Sequence, residues 1–439
     1  LQVTRQDKYA VMQPFYKAQR AYYDYLRKKD YDLWYVLDPV ITIHPDELFF
    51  ECFSQDESSY GKLGCNYNVF QQIDSFECGT TNIDYSAALY NEFQKIRTYK
   101  NTEFKIDPSG FEVETTGEDT YKEVKIDLPD SWVRGFLQVS SAMTMPAVQF
   151  DLHPIDMYNF LFILKQQKAK IGPRSIRFNL TPGKPIQATF EPWNRVVTCT
   201  RSIYQGNTAQ EIRIWGRRRL LTLERLIPIT KSIKVTLLGT GLPSFFVADL
   251  GDMNFTLGLS GWTKNDWSRA GNFDLLAPRR EVSDLAKKNV WAALQKVWFA
   301  TPEALSEQTN LKKSVVLGAL QVLVQAGKVV YDLNANLYRL RELAKDDLPL
   351  KSLRFANERE EKANALIQQN AVLIQRRISR PTEQIIKGKV KMESRTEEVS
   401  LRIDADEKLA EASCTCRFFK KNQVRKGPCA HILAVRLAK

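Results

Sequence analysis

Histidine is scarce in this 439-residue sequence, which has three, and cysteine is only seven. No run approaches the roughly 18 consecutive apolar residues of a membrane helix, so no membrane span is expected. The start, LQVTRQDKYA, lacks the apolar stretch of a signal peptide. With an odd cysteine count, this predicts a reducing, cytoplasmic setting and no disulfide framework. The sequence has no P-loop, no dinucleotide-binding glycine pattern, no serine elbow and no His-Glu zinc-protease motif. No spacing singles out a pair of carboxylates. The expectation is a protein that is not an enzyme.

What is present belongs to a folded chain: 44% hydrophobic and 26% charged residues. The length predicts about three domains. The net charge of +12 is unevenly placed. Residues 351–439 hold 20 Lys/Arg against 11 Asp/Glu, residues 281–350 hold 9 against 8, and the first 280 carry only +2. A positive surface confined to the C-terminal part suits nucleic acid or another polyanion, or serves as a solubilising tail.

The fold class expected is α+β and multidomain. Residues 1–130 read as a mixed α/β domain. QPFYKAQRAYYDYLRKKDY has helical spacing, and TEFKIDPSGFEVETT reads as a hairpin. Residues 131–280 read as a β-rich domain of short strands bounded by Gly and Pro, with a second hairpin at RSIRFNLTPGKPIQATFEPW. VITIHPDELFF and QFDLHPIDMYNFLF form a weak internal echo. In both, His-Pro (His44-Pro45, His153-Pro154) reads as a helix start. Arg217–Arg219 read as a solvated strand edge, with a phosphate patch as the alternative. His44, Cys52, Cys65 and Cys78 contain no close pair, so they read as core residues before they read as a second metal site.

Residues 281–350 change character. VSDLAKKNVWAALQKVW is an amphipathic helix, and Thr301 caps a short helix with Pro302 in its first turn. LKKSVVLGALQVLVQAGK is a third helix stopped by Gly327, and VVYDLNANLYRLREL is a hairpin turning at Asn334–Asn336. This order resembles a winged helix-turn-helix over about 60 residues. Lys312 and Lys313, at the start of the third helix, are candidate phosphate contacts. The apolar remainder of that helix offers little for reading bases and equally suits protein docking. Residues 351–382 read as a charged helical connector ending before Pro381.

Residues 383–439 carry the most specific pattern. Cys414, Cys416, Cys429 and His431 fall within eighteen positions of a β-rich stretch and an apolar helix, HILAVRLAK. Residues two apart on a strand share a face, so Cys414 and Cys416 can aim at one ion. Pro428 places Cys429 before the helix and His431 in its first turn. Three thiolates and one imidazole suit tetrahedral structural zinc. The twelve intervening residues, RFFKKNQVRKGP, read as a loop bearing Lys420, Lys421, Arg425 and Lys426. Phe418 and Phe419 beside them either stack bases or, the preferred reading, cover the zinc fold. The pattern resembles the SWIM zinc finger from about Lys389 onward. The whole chain looks like a bacterial-type SWIM zinc finger protein. That resemblance implies one Zn2+ in a ββα module that binds DNA or proteins. The function expected is non-specific DNA or RNA binding, mainly to phosphates. The alternative is an adaptor that docks a protein partner such as an ATPase or chaperone complex.

Overall fold

The computed structural model describes residues 39–438, apart from 55, 75–76, 170–172, 262–266, 268–281, 345–347, 349–357, 381–382, 393–394, 405–408 and 423–427. The helix expected near residues 13–31 lies outside the described residues.

The centre of the molecule is an eight-stranded antiparallel sheet. Its strand order is Gly79–Asn82, Val40–Ile43, Glu47–Phe53, Ser59–Asn66, Met253–Leu259, Ser244–Asp249, Ser232–Leu237 and Val148–Leu152. The boundary expected at residue 130 is crossed by this sheet, because Ser59–Asn66 pairs with Met253–Leu259 from Ser59↔Leu259 to Cys65↔Met253. Both faces are covered. Along Ser244–Asp249, Phe245 and Val247 point into a core with the helix Asp130–Met143. Phe246 and Ala248 point the other way, into a core with the helix Pro154–Gln166 and a four-stranded sheet of residues 176–214. Alternation of side chains along an extended strand thus serves two cores at once.

The expected hairpins form. Thr102–Asp107 pairs with Gly110–Thr115, the Asp107 carboxylate accepting from the Ser109 amide at 2.6 Å. Ile176–Leu180 pairs with Pro185–Phe190 around Gly183 at φ +71°. Of the two His-Pro pairs, only the second opens a helix. His153 caps Pro154–Gln166, its Nδ1 accepting from Ile155. After His44 the chain enters the strand Glu47–Phe53 instead.

A third unit follows: helix Asp284–Val297, strand Phe299–Ala300, helices Pro302–Thr309 and Lys313–Gln325, and the hairpin strands Val329–Asp332 and Leu337–Leu340. Thr301 caps the second helix through the Ala304 amide, and Gly327 follows the third at φ +73°. Val290, Leu294, Leu305, Val316, Leu320 and Val324 form its own core.

The C-terminal unit begins earlier than expected. Among the described residues of the expected connector, only Glu358–Gln368 is helical. Asn370, in the left-handed region at φ +52°, ends the helix, and Val372–Arg380 is a strand. It pairs with Glu383–Lys391, which pairs with Thr396–Asp404, and that with Leu409–Cys414. Helices Arg417–Asn422 and Ala430–Leu437 complete the unit. Among the described residues it is therefore a four-stranded meander with three helices, larger than the ββα module expected. Ala363 and Leu366 of the first helix share its core with Ile386, Val390, Ile432 and Val435. Among the described residues, no helix is long and apolar enough to cross a membrane.

Candidate metal centre

The last strand of the meander ends at Cys414, and Cys416 sits at the entry of the short helix Arg417–Asn422. Cys429 is the N-cap of the helix Ala430–Leu437, and His431 lies in its first turn. The ligand atoms of the four residues lie within 4.8 Å of one another, and all four residues are inside the fold. Cys414 Sγ is 3.8 Å from His431 Nδ1. A tetrahedron with Zn–S bonds of about 2.3 Å has edges of roughly 3.8 Å, so the donors fit zinc in number, type and spacing.

The surroundings orient the sulfurs. The Cys416 amide donates to Cys414 Sγ at 3.5 Å, and the Phe419 amide donates to Cys416 Sγ at 3.4 Å. Hydrogen bonding with Cys414 holds the Cys429 thiol down to about 4, and the same contact pushes Cys414 up. Zinc takes its sulfur ligands as thiolates, and amides aimed at sulfur stabilise that form. Phe419 is buried beside Cys416, while Phe418 is partly buried with the Arg359 guanidinium 5.1 Å over its ring. The aromatic pair thus covers the zinc fold. Gly388 lets the helix approach the sheet, since a Cβ there would meet Val435 at 3.2 Å and the Leu373 carbonyl at 3.1 Å.

The candidate phosphate contacts are placed as follows. Lys420 and Lys421 are exposed in the last turn of the helix Arg417–Asn422, not on an open loop. Arg425 and Lys426 lie outside the described residues. Lys312 precedes the helix Lys313–Gln325 without a side-chain capping bond, and Lys313 forms an ion pair with Glu303. That helix is also covered on a second side. Gln321 is 8% exposed, and its Oε1 accepts from the Thr144 hydroxyl at 2.9 Å, next to the helix Asp130–Met143.

Sequence reasoning missed the buried charge cluster that fastens this unit to the central sheet. Lys62 Nζ reaches Glu47 at 3.0 Å and Asp332 at 3.2 Å. Arg339 reaches Asp332 at 2.7 Å, Asp46 at 2.7 Å and Glu47 at 3.2 Å. Arg341 lies 3.4 Å from Glu51, and His44 Nε2 is 2.9 Å from the Leu340 carbonyl. The only signal available was charge on strand positions that alternate with apolar residues, such as Lys62 beside Leu63.

Arg217–Arg219 do not line a solvated strand edge. They open a three-ten helix, Arg217–Ile229, behind Gly216 at φ +73°. Arg217 is buried and donates to the carbonyls of Ser175 (2.8 Å) and Glu191. Arg218 donates to the Leu164 carbonyl at 2.8 Å. Backbone carbonyls left open at loop ends recruit these guanidinium donors. Cys65 is buried, Cys52 and Cys78 are half-buried, and among the described residues only the C-terminal four converge as metal ligands.

Residues 397–439 match the SWIM zinc finger family. Among solved structures the chain is similar to Proliferating Cellular Nuclear Antigen from Entamoeba histolytica, at 13% identity and TM-score 0.38, covering 52% of this chain and 90% of that one. It is also similar to the PCNA2-PCNA3 complex of Sulfolobus tokodaii (9%, TM-score 0.40, 52% and 92%) and to PCNA of Thermococcus kodakaraensis (12%, TM-score 0.40, 52% and 91%). No curated protein matches. With the family match lying over four converging ligands, the C-terminal unit is a zinc-binding module similar to the SWIM zinc finger, and its ion is Zn2+.

Proposed function

We propose that this zinc-binding protein holds nucleic acid through phosphate contacts made by its C-terminal unit, without base readout and without catalysis, in a reducing cytoplasm. One observation carries the reading. Arg376, Lys387, Lys391, Arg417, Lys420 and Lys421 are all exposed, and none has a carboxylate partner among the described residues. Lys387 and Lys391 alternate with Ile386, Gly388 and Val390, which are buried against the helices. Arg376 is in register with Lys387, so these cations share the open side of the meander. Neighbouring cations are neutralised: Lys389 pairs with Glu398 at 3.1 Å and Arg402 with Glu411 at 2.5 Å. Arg425 and Lys426 extend the same basic stretch in sequence.

We read residues 284–340 as a winged helix used inside the molecule. Its third helix, the element that would enter a groove, lies against the helix Asp130–Met143 through Gln321 and Thr144. Its hairpin is held by the Lys62–Arg339 charge cluster. Lys312 and Lys313 therefore do not carry the proposed binding.

Fluorescence anisotropy with single- and double-stranded DNA and RNA, between 50 and 200 mM salt, tests the proposal. Each neutralised phosphate contributes a log–log slope of about −0.9 on duplex DNA. Replacing Arg417, Lys420 and Lys421 together by Ala should flatten the slope by about 2.7 and lessen the salt-induced loss about 40-fold, for every sequence alike, with zinc retained. An absence of binding at 50 mM salt would overturn it in favour of an adaptor whose basic surface docks an acidic protein.

A further inference from the structure

A cavity of about 360 Å³ lies far in sequence from the zinc module, lined by Asp56, Lys168, Arg174, Arg217, Arg218 and Arg219 among others. Its lining is unbalanced, with five cations to one carboxylate. Arg217 is 3% exposed, and its hydrogen bonds go to the Ser175 and Glu191 carbonyls. Arg218 likewise reaches a carbonyl, that of Leu164. Carbonyl oxygens satisfy donors but cancel no charge. Among the described residues, no carboxylate lies within ion-pair distance of Arg217, Arg218 or Lys168. Burial, aided by the neighbouring Arg218 and Arg174 charges and only partly offset by Glu191, pulls the Arg217 guanidinium down to about 10.

Gly216 makes the arrangement possible. At φ +73° it turns the chain so that three consecutive arginines open the three-ten helix, and any Cβ there would collide with the Arg219 guanidinium. A concave wall in which one charge sign predominates focuses potential and draws a counter-ion. Planar guanidinium forks match phosphate oxygens better than ammonium groups do. The volume falls in the range of small-molecule sites and exceeds what one phosphate group needs.

We propose that this cavity binds a small phosphorylated compound, its phosphate groups held by Arg217, Arg218 and Lys168. This site is separate from the nucleic-acid surface proposed above, and its test is separable too. Isothermal titration of the full chain with inorganic pyrophosphate should show one saturable site. Arg218 is exposed and holds one carbonyl, so Arg218→Ala should keep the thermal midpoint within about 2 °C while weakening pyrophosphate at least about 10-fold. The Lys420→Ala/Lys421→Ala variant should bind pyrophosphate as the parent does. The proposal is overturned if no saturable binding occurs, if Arg218→Ala binds equally well, or if the lysine pair is what binding requires.

Discussion

Asp332 offers a quantitative test of how the unit of residues 284–340 is held. It is 3% exposed and lies 2.7 Å from Arg339 and 3.2 Å from Lys62. Lys62 and Arg339 together face three acids of the cluster, Asp46, Glu47 and Asp332. Asp332→Asn removes one negative charge but leaves Glu47 and Asp46 to compensate Lys62 and Arg339. The Asn side chain can still accept from the Asn334 and Ala335 amides as Asp332 does at 2.8 and 3.2 Å. The cost should therefore sit at the low end for breaking a buried pair, about 3 kcal/mol. Arg339→Met is the opposite case, leaving three carboxylates to Lys62 alone, and should cost about 5 kcal/mol. Calorimetry of the unfolding transition checks both, with a shift of about 6 °C for Asp332→Asn, at 2 °C per kcal/mol for a large unit. The pH profile gives a second reading. Against burial, which pushes it up, Lys62 and Arg339 hold the Asp332 carboxyl well below its ordinary range. An unfolded chain binds that proton near pH 4 and the folded one does not, so this stability is present above about pH 4 and lost as pH falls below it. Asp332→Asn should flatten the acid limb. Were Asp332→Asn to cost as much as Arg339→Met, or less than about 0.5 kcal/mol, the charge-balance argument would fail.

Three further outcomes are expected. Elemental analysis should find one zinc per chain, because the described residues bring together one ligand set. Cys429→Ser should remove zinc and abolish hydrogen-exchange protection across residues 358–438, where a shared core depends on the ligated turn, while the central sheet keeps its protection. Gly388→Ala should lower the thermal midpoint of the C-terminal unit, costing about 1–3 kcal/mol, because its methyl crowds both the Leu373 carbonyl and the buried Val435 side chain.

Much of this protein was legible locally. Ligand spacing, the Pro before Cys429, the Thr301 cap, the Gly327 stop and the two Pro-containing hairpin turns are decided by neighbours a few residues apart, and the fold reproduces each. The strand Val372–Arg380 was read as helix although Asn370 marks the break. Its strand state comes from pairing with Glu383–Lys391, which periodicity within one segment does not report. Pairing also joined residues across position 130, since Ser59–Asn66 finds its partner nearly two hundred residues away. Arginine charge suggested solvent at Arg217–Arg219, yet the carbonyls of Ser175 and Glu191 drew Arg217 into the fold, and the exposed Arg218 is tied to the Leu164 carbonyl. The helix Lys313–Gln325 looked free to meet a partner, and packing gave it one inside the chain. The sequence by itself therefore determined the zinc ligands, the turns and the basic C-terminal charge, because each depends on residue type and short spacing. Only the tertiary structure decided which cations face solvent and which are spent on carbonyls and carboxylates, because that depends on what distant segments place beside them.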